Sequence, residues 1–469
     1  LKKLLLFLPI LAILSCKNSE EKTDQNSDFD LAITNIQIID LEKGDILQNK
    51  TVFIKDDLIS AIKDSEENTS ATKVIDGKDK FLLPGFWDNH VHFRGGDSLI
   101  SANKNFLGLF LANGVTTVRE CGGDMTSSIL EWQQNIANNQ LTGPTIYTSG
   151  PKLDGENARW EGSLEIASEN DIAPALDSLQ KLETDFVKLY DSKFTGELYL
   201  KTIEATEDRG MISSGHMPFS VTLDETTAAG MDGIEHLYYV LKACSAEEKS
   251  ITQDVIDGKT SFWESLDRVM KTYAEETAEK TFAVLKSRDV YVIPTLHINH
   301  TLSYLDEEPH ENDEYLDYMG SGITKTYEGR IRSALNASEE FVKTRKQLDS
   351  AFVSLAKSLQ ENEVSLLAGS DCGAFNSYIY PGISLHQELQ AMVDAGLSPL
   401  QALQTSAING AKFLKKENTG AIKANYKADL VILNANPLKN IEETQNINSV
   451  IKNGKIFQQQ DLEGLKTAP

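Results

Sequence analysis

Hydrophobic and polar residues alternate with period two near both ends of the chain, whereas the middle carries short apolar bursts separated by long amphipathic stretches. From residue 29 to 84, DLAITNIQIIDL, KTVFIKDDLISAIKD and TKVIDGKDKFLLP read as short strands, the second turning at Asp56-Asp57. The texture returns in KADLVILNANP and NSVIKNGKIFQ, where Asn453-Gly454 is a hairpin signal. Two β-rich ends so far apart predict one small discontinuous β-sandwich, made of residues 29–84 and 413–460, with 461–469 as a tail.

Between them, GFWDNHV, GVTTVRE, PTIYTSG, DFVKLY, GMISSGH, DGIEHL, DVYVIPTL and EVSLLAGSD are strand-like. Each is followed by a stretch long enough for a helix, such as IASENDIAPALDSLQKLE. Eight such units predict an α/β fold, a (β/α)8 TIM barrel over residues 85–412, with its active site at the C-terminal ends of the strands. The segment from about His297 to Leu355 is longer than one helix needs and is expected to form a lid or edge over the mouth.

The first residues, LKKLLLFLPILAILSCKNSE, place Lys2 and Lys3 before an apolar run too short to cross a bilayer, which predicts an export signal over residues 1–15. Ser15-Cys16 at its end resembles the lipobox of bacterial lipoproteins. That resemblance implies acylation of Cys16, polar residues 16–28 as a tether, and a place at the periplasmic or outer face of a bacterial envelope. Without Lys2 and Lys3, 43 basic residues face 70 acidic ones, a formal charge of −27. Such a surface argues against nucleic acid or anionic lipid as partner and for a small-molecule or dipeptide substrate, the membrane being reached only through the lipid. Cys121, Cys244 and Cys372 are too few for a disulfide framework and read as small buried hydrophobes.

The chain has only eight histidines, and two stand two apart in LLPGFWDNHVHFRGG. In a strand His90 and His92 share a face, which is the spacing of metal ligands, although a pair of surface histidines has the same spacing. At the ends of the predicted strands, His90, His92, Lys188, His216, His236 and Asp371 converge on one mouth. Singly, His216 and His236 fit core histidines and Asp371 fits a helix N-cap; the ordered set favours ligation. Imidazole and carboxylate suit Zn²⁺. An ammonium is no ligand, so Lys188 either changes its charge or pairs with Asp185 or Asp191, and the pleat leaves open which face of FVKLY turns inward. His297 and His300 are candidates for substrate contact; His310 and His386 read as surface or structural. For a substrate carboxylate the candidates are Arg119, Lys152, Arg159, Tyr190 and Tyr238.

This order of residues, with LPGFWDNHVH, GVTTVRE, GIEHL, LLAGSD and ADLVILNANPL, resembles the amidohydrolase superfamily, in its imidazolonepropionase-like and prolidase-like members, over nearly the whole chain after Cys16. The resemblance implies two divalent ions, Zn²⁺ by preference, one on His90, His92 and Asp371 and the other on His216 and His236. Lys188, carboxylated at its amine, would bridge them. It implies hydrolysis of a C–N bond in a dipeptide, N-acyl amino acid or cyclic amide by a metal-bridging hydroxide, with Asp371 as the catalytic base and proton shuttle. Lactone, ester or phosphotriester hydrolysis at the same centre is the near alternative, and a non-catalytic metal- or ligand-binding lipoprotein the distant one. Trp87 and Met217-Pro218 depart from the usual wording beside ligands and are expected to reshape the pocket.

Overall fold

The computed structural model describes residues 28–66 and 69–466; the export signal, Cys16 and nearly all of the tether lie outside this range. The alternating N-terminal stretches form β1 (Leu31–Ile39), β2 (Ile46–Lys55), β3 (Leu58–Asp64), β4 (Lys73–Asp76) and β5 (Phe81–Pro84). The apolar bursts hold β6 (Phe86–Val91), β7 (Val115–Glu120) and β8 (Thr145–Thr148). After these come β9 (Leu153–Gly155), β10 (Leu164–Ile166), β11 (Val187–Leu189), β12 (Ser213–Gly215), β13 (Gly233–Glu235) and β14 (Tyr291–Ile293). The C-terminal alternation gives β15 (Leu430–Leu433), β16 (Ile447–Lys452) and β17 (Lys455–Gln458).

The two ends of the chain meet in one eight-stranded mixed sheet of order β17-β16-β15-β5-β1-β2-β3, with β4 also on β1. The central join is antiparallel, Leu430 opposite Pro84 and Leu433 opposite Phe81. The period of two divides its side chains: Ile33, Val52, Ile54, Leu82, Leu430 and Ile432 fill a small core of their own, whereas Leu83, Val431, Leu433 and Val450 face the main core. Both faces are thus buried. Only Gly85 separates β5 from β6, and it must be glycine because an added Cβ would lie 2.1–2.7 Å from the Thr116 side chain.

Seven of the eight bursts carry parallel strands, in the sheets β6-β7-β8 and β10-β9-β11-β12-β13-β14, an arrangement that fits a TIM-barrel-like fold. The eighth, EVSLLAGSD, differs from expectation in holding no continuous strand. Parallel bridges nevertheless join Leu366 to Val292 and Cys372 to Val91, and Asp371 N donates to His90 O at 2.7 Å. β9 and β10 lie in a segment without apolar alternation and were not expected; Leu153 pairs with Leu189 of β11. Helices follow the strands as predicted. The helix Glu169–Lys181, for example, starts at a Ser168/Asp171 capping box and buries Ile172, Ala175, Leu176 and Leu179, one stripe at i, i+3, i+4 and i+7.

The long segment after β14 folds as helices Leu296–Ser303, Gly320–Leu335 and Glu339–Glu361. It is tied to the loop beyond Asp371: Phe375 N donates to Thr326 Oγ1 (2.8 Å), Ser377 Oγ to Tyr327 O (3.0 Å) and Tyr380 OH to Asp313 Oδ2 (2.9 Å).

Candidate metal centre

His90, its ring buried, is the penultimate residue of β6, and His92 lies just beyond the strand's end. His90 Nε2 lies 3.2 Å from His92 Nε2, and Asp371 Oδ1 is 3.6 Å from the first and 3.3 Å from the second. His236, directly after β13, brings its Nε2 to 4.0 Å from Asp371 Oδ2, and its ring centroid is 4.9 Å from that of His216, which follows β12. One ligand atom each from His90, His236 and Asp371 falls within 4.8 Å of the other two. Lys188 in β11 is buried, and its Nζ has no hydrogen-bond partner among the described residues. His90, His92, His236 and Asp371 therefore come together, with His216 beside His236 and Lys188 3.5 Å from Glu235, the carboxylate that holds His90.

The tautomers say what this arrangement is for. His90 Nδ1 donates to Glu235 Oε2 (2.6 Å), His92 Nδ1 to Gly122 O (2.9 Å) and His216 Nδ1 to Asp191 Oδ1 (3.1 Å). His236 Nδ1 donates to Thr295 Oγ1 (2.7 Å), whose own proton goes to Pro294 O (2.8 Å). Burial pushes the His90 imidazole down and holds those of His92 and His236 well below the usual histidine range. In these neutral rings with Nδ1 protonated, Nε2 carries a lone pair. Two such lone pairs face each other at 3.2 Å beside a carboxylate, with no proton between them. That is repulsive unless a cation sits there, and the outward Nδ1 bonds are those that ordinarily orient metal-bound histidines. The donor set fits divalent metal.

The supporting residues went unassigned in the sequence. Glu235 accepts from Arg119 Nη2 (2.9 Å) and Ser214 Oγ (2.5 Å) as well as from His90, with Lys188 Nζ at 3.5 Å. Burial alone would raise its pKa, but Arg119, Lys188 and His90 hold it well below the carboxylate range. Asp88 accepts from Ser370 N (2.9 Å) and Oγ (2.5 Å), fixing the residue before Asp371 to β6. Asn376 Nδ2 donates to Asp371 Oδ1 at 2.7 Å. Asp371, His236 and Thr295 all have positive φ, at 58°, 68° and 50°. Such backbone costs roughly 1–3 kcal/mol per residue and is kept where the surroundings enforce it.

The other candidates are placed as follows. Tyr190 lies over His216 with centroids 4.4 Å apart. Lys152 is buried near Trp160 and Tyr190; burial, then Arg94 and Lys188, push its ammonium down to about 7. Arg119 is not at the mouth: it is fully buried, bound to Glu235 and Asn89 O and stacked on Phe186 and Phe413, so it offers nothing to a substrate. Tyr238 packs with Phe262, Trp263 and Phe352 and donates to Asn299. His297 is half-buried within electrostatic reach of His300 and His310, and burial lowers its imidazole to about 3. His300 pairs with Asp349, His310 with Asp313, and His386 is buried between Thr444 and Asn113 O. Arg159 is exposed. Lys188 pairs with neither Asp185, which holds Lys416, nor Asp191, which holds His216 and Tyr239. Trp87, in β6, and Met217, directly after His216, are both buried. The three cysteines are buried, and burial raises the Cys121 thiol to about 12.

Residues 81–457, which run from β5 to β17, match the amidohydrolase family profile. The chain belongs to the amidohydrolase family. Members of the amidohydrolase family are hydrolases acting on C–N bonds. The chain is 22% identical over 428 residues to a 5-methylthioadenosine/S-adenosylhomocysteine deaminase of Dictyoglomus turgidum, covering 87% of this chain and 85% of that one. Among solved structures, a bottromycin amidohydrolase superposes with a TM-score of 0.72 at 20% identity, covering 92% of this chain and 88% of the other. A Xaa-Pro dipeptidase with methionine in its active site gives 0.67 at 18%, covering 91% and 99%.

For this amidohydrolase the Nδ1 contacts give a direct test. Asp191→Asn keeps an acceptor for His216 but removes the charge behind it, and an outer partner of this kind is worth about 10–100-fold in metal affinity. The loss is expected in a zinc competition titration against a chromophoric chelator, without loss of the folded state by circular dichroism.

Proposed function

We propose that this protein hydrolyses a C–N bond of a small amide, such as a dipeptide, an N-acyl amino acid or a cyclic amide, with the help of two divalent metal ions. His90, His92 and Asp371 would hold one ion, His216 and His236 the other, and Lys188 as a carbamate both. The observation that carries the reading is the set of inward Nε2 lone pairs facing the Asp371 carboxylate. A buried Lys188 Nζ without a hydrogen bond supports the carbamate, since an amine left free there gains only Glu235, at 3.5 Å. Bound divalent ions would supply a water acidified to near neutral pH and polarise the scissile carbonyl. Asp371, partly open to solvent and oriented by Asn376, would accept a proton from the attacking water and pass it to the leaving amine. Tyr190, whose ring lies on that of His216, would steady the carbonyl oxygen through its hydroxyl.

The accompanying architecture is a closed eight-stranded barrel, supported by the bridges from segment 364–372 to β14 and β6. The terminal sheet would be a sandwich around its own apolar core. Export and acylation at Cys16 complete the proposal, which would put the enzyme in a bacterial envelope.

The test is a panel of Xaa-Pro dipeptides, N-acyl amino acids, cyclic amides and lactones, run on protein reconstituted with Zn²⁺ and bicarbonate. Amide turnover that a chelator abolishes and zinc restores is the expected result. Turnover confined to lactones would transfer the reading to an esterase, and metal retention without turnover would make the protein a binder.

A further inference from the structure

The proposed metal centre leaves a group of cations unexplained. Arg94, two residues beyond His92, is buried; its Nε donates to Ala374 O (2.9 Å), and its guanidinium lies 4.4 Å from the Trp160 ring centroid and 5.8 Å from that of Phe375. Lys152 is also buried, with Nζ 4.9 Å from the Trp160 centroid and 5.5 Å from that of Tyr190. Arg330, in the helix Gly320–Leu335, is half-buried and within electrostatic reach of Asp371, Tyr190 and Arg345. Among the described residues none of the three makes an ion pair. Asp124 near Arg94 is bonded to Gly95 N, and Glu120 near Lys152 accepts from Thr148.

Acidic residues outnumber basic ones 70 to 45 in this chain, so three basic side chains left without an ion pair at one place are a costly exception. They adjoin the metal centre through one wall: Trp160 is 6.4 Å from Tyr190, and Tyr190 lies on His216. The adjoining Trp160 and Phe375 rings packed against Arg94, with the Nε bond to Ala374 O, restrict its fork, which lowers the entropy lost when it binds a planar anion.

Building on the hydrolase reading, we propose that the substrate carries a free carboxylate, which Arg94, Lys152 and Arg330 receive at the aromatic rim formed by Trp160, Tyr190 and Phe375. This selects N-acyl amino acids and dipeptides over neutral cyclic amides, lactones and nucleobases.

The metal-loaded full chain is given N-acetylglycine, N-acetylleucine, N-acetylphenylalanine, N-acetylproline and glycylproline, each beside its carboxamide. At least one acid is expected to exceed its carboxamide by about 100-fold in kcat/KM, the worth of one or two charge-assisted hydrogen bonds. Arg330→Met is expected to shrink that ratio about tenfold or more, mainly through KM. Arg94→Met should do the same, with Arg94→Lys recovering part of it. Since Arg94 is buried, Arg330→Met carries the test if Arg94→Met fails to fold. Equal turnover of acid and carboxamide overturns the subsite while leaving the hydrolase reading intact. If nothing is turned over, the hydrolase reading fails and calorimetric titration with the same pairs decides. Tighter binding of an acid, lost in Arg330→Met, supports the subsite, whereas equal binding or none overturns it.

Discussion

Replacing Asp371 by asparagine lowers kcat on the best amide substrate by about 10³-fold, within the 10²–10⁴ that a positioned acid–base group contributes. Asparagine fills the same volume and keeps an oxygen for Asn376, so the loop after segment 364–372 is not disturbed. What disappears is the carboxylate that accepts a proton. The metal-free variant is expected to be less stable than the parent at neutral pH, because the Asp371 carboxyl is held well below the usual carboxylate range despite its burial and is an anion within electrostatic reach of Arg94 and Arg330. Urea unfolding and steady-state kinetics, run on one preparation with metal content measured, separate the two effects. Retained turnover at full metal loading would assign the proton shuttle to another group.

Glu235→Gln is the second large effect, and it acts on the fold as well as on the site. The carboxylate is fully buried among Arg119, Ser214, His90 and Lys188, and Arg119 has no other acidic partner among the described residues. Neutralising one member of such a buried pair leaves the other charge uncompensated, at about 3–5 kcal/mol. The urea midpoint of the metal-free protein should fall accordingly. Metal affinity should drop as well, because His90 loses the anion that fixes its Nδ1 proton. The sign with pH follows from the depressed carboxyl. Its stabilisation is fully present above the unfolded glutamate value of about 4.3, and is lost as pH falls through the lower folded value. The variant should therefore be less pH-sensitive than the parent between those two values. An unchanged midpoint at neutral pH would mean that Arg119 is compensated by its ring contacts alone.

Much of the candidate centre was legible because most of its residues close an apolar burst. His90, His216, His236 and Asp371 are the polar residues at which hydrophobic runs stop, and strand ends in parallel α/β folds share one side. Lys188 was harder, since FVKLY alternates too weakly to reveal its inner face. The outer partners were missed for a different reason. Glu235 and Asp88 sit inside the bursts GIEHL and GFWDNHV, where an acid must be buried and therefore paired; that was the available signal, but the partners Arg119 and Ser370 are joined to them only by the fold. Arg94 was visible in principle, as the next residue on the His90 and His92 period. Its lack of a carboxylate is a property of the folded mouth. In the frame of the fold, β15 to β17 were predicted from alternation, whereas β9, set by pairing with β11, and β10, set by pairing with β9, are three residues each and leave no pattern.

The seam between Pro84 of β5 and Leu430 of β15 has a consequence for biosynthesis. β5 runs through Gly85 directly into the strand bearing His90, yet its partner emerges from the ribosome more than three hundred residues later, roughly 15–60 s at 5–20 residues per second. Throughout that interval the edge of β5 lacks its neighbour, and the strand that bears the histidines has no fixed seat. Nascent chains arrested before Leu430 should therefore fail to retain zinc, however completely the intervening helices have formed.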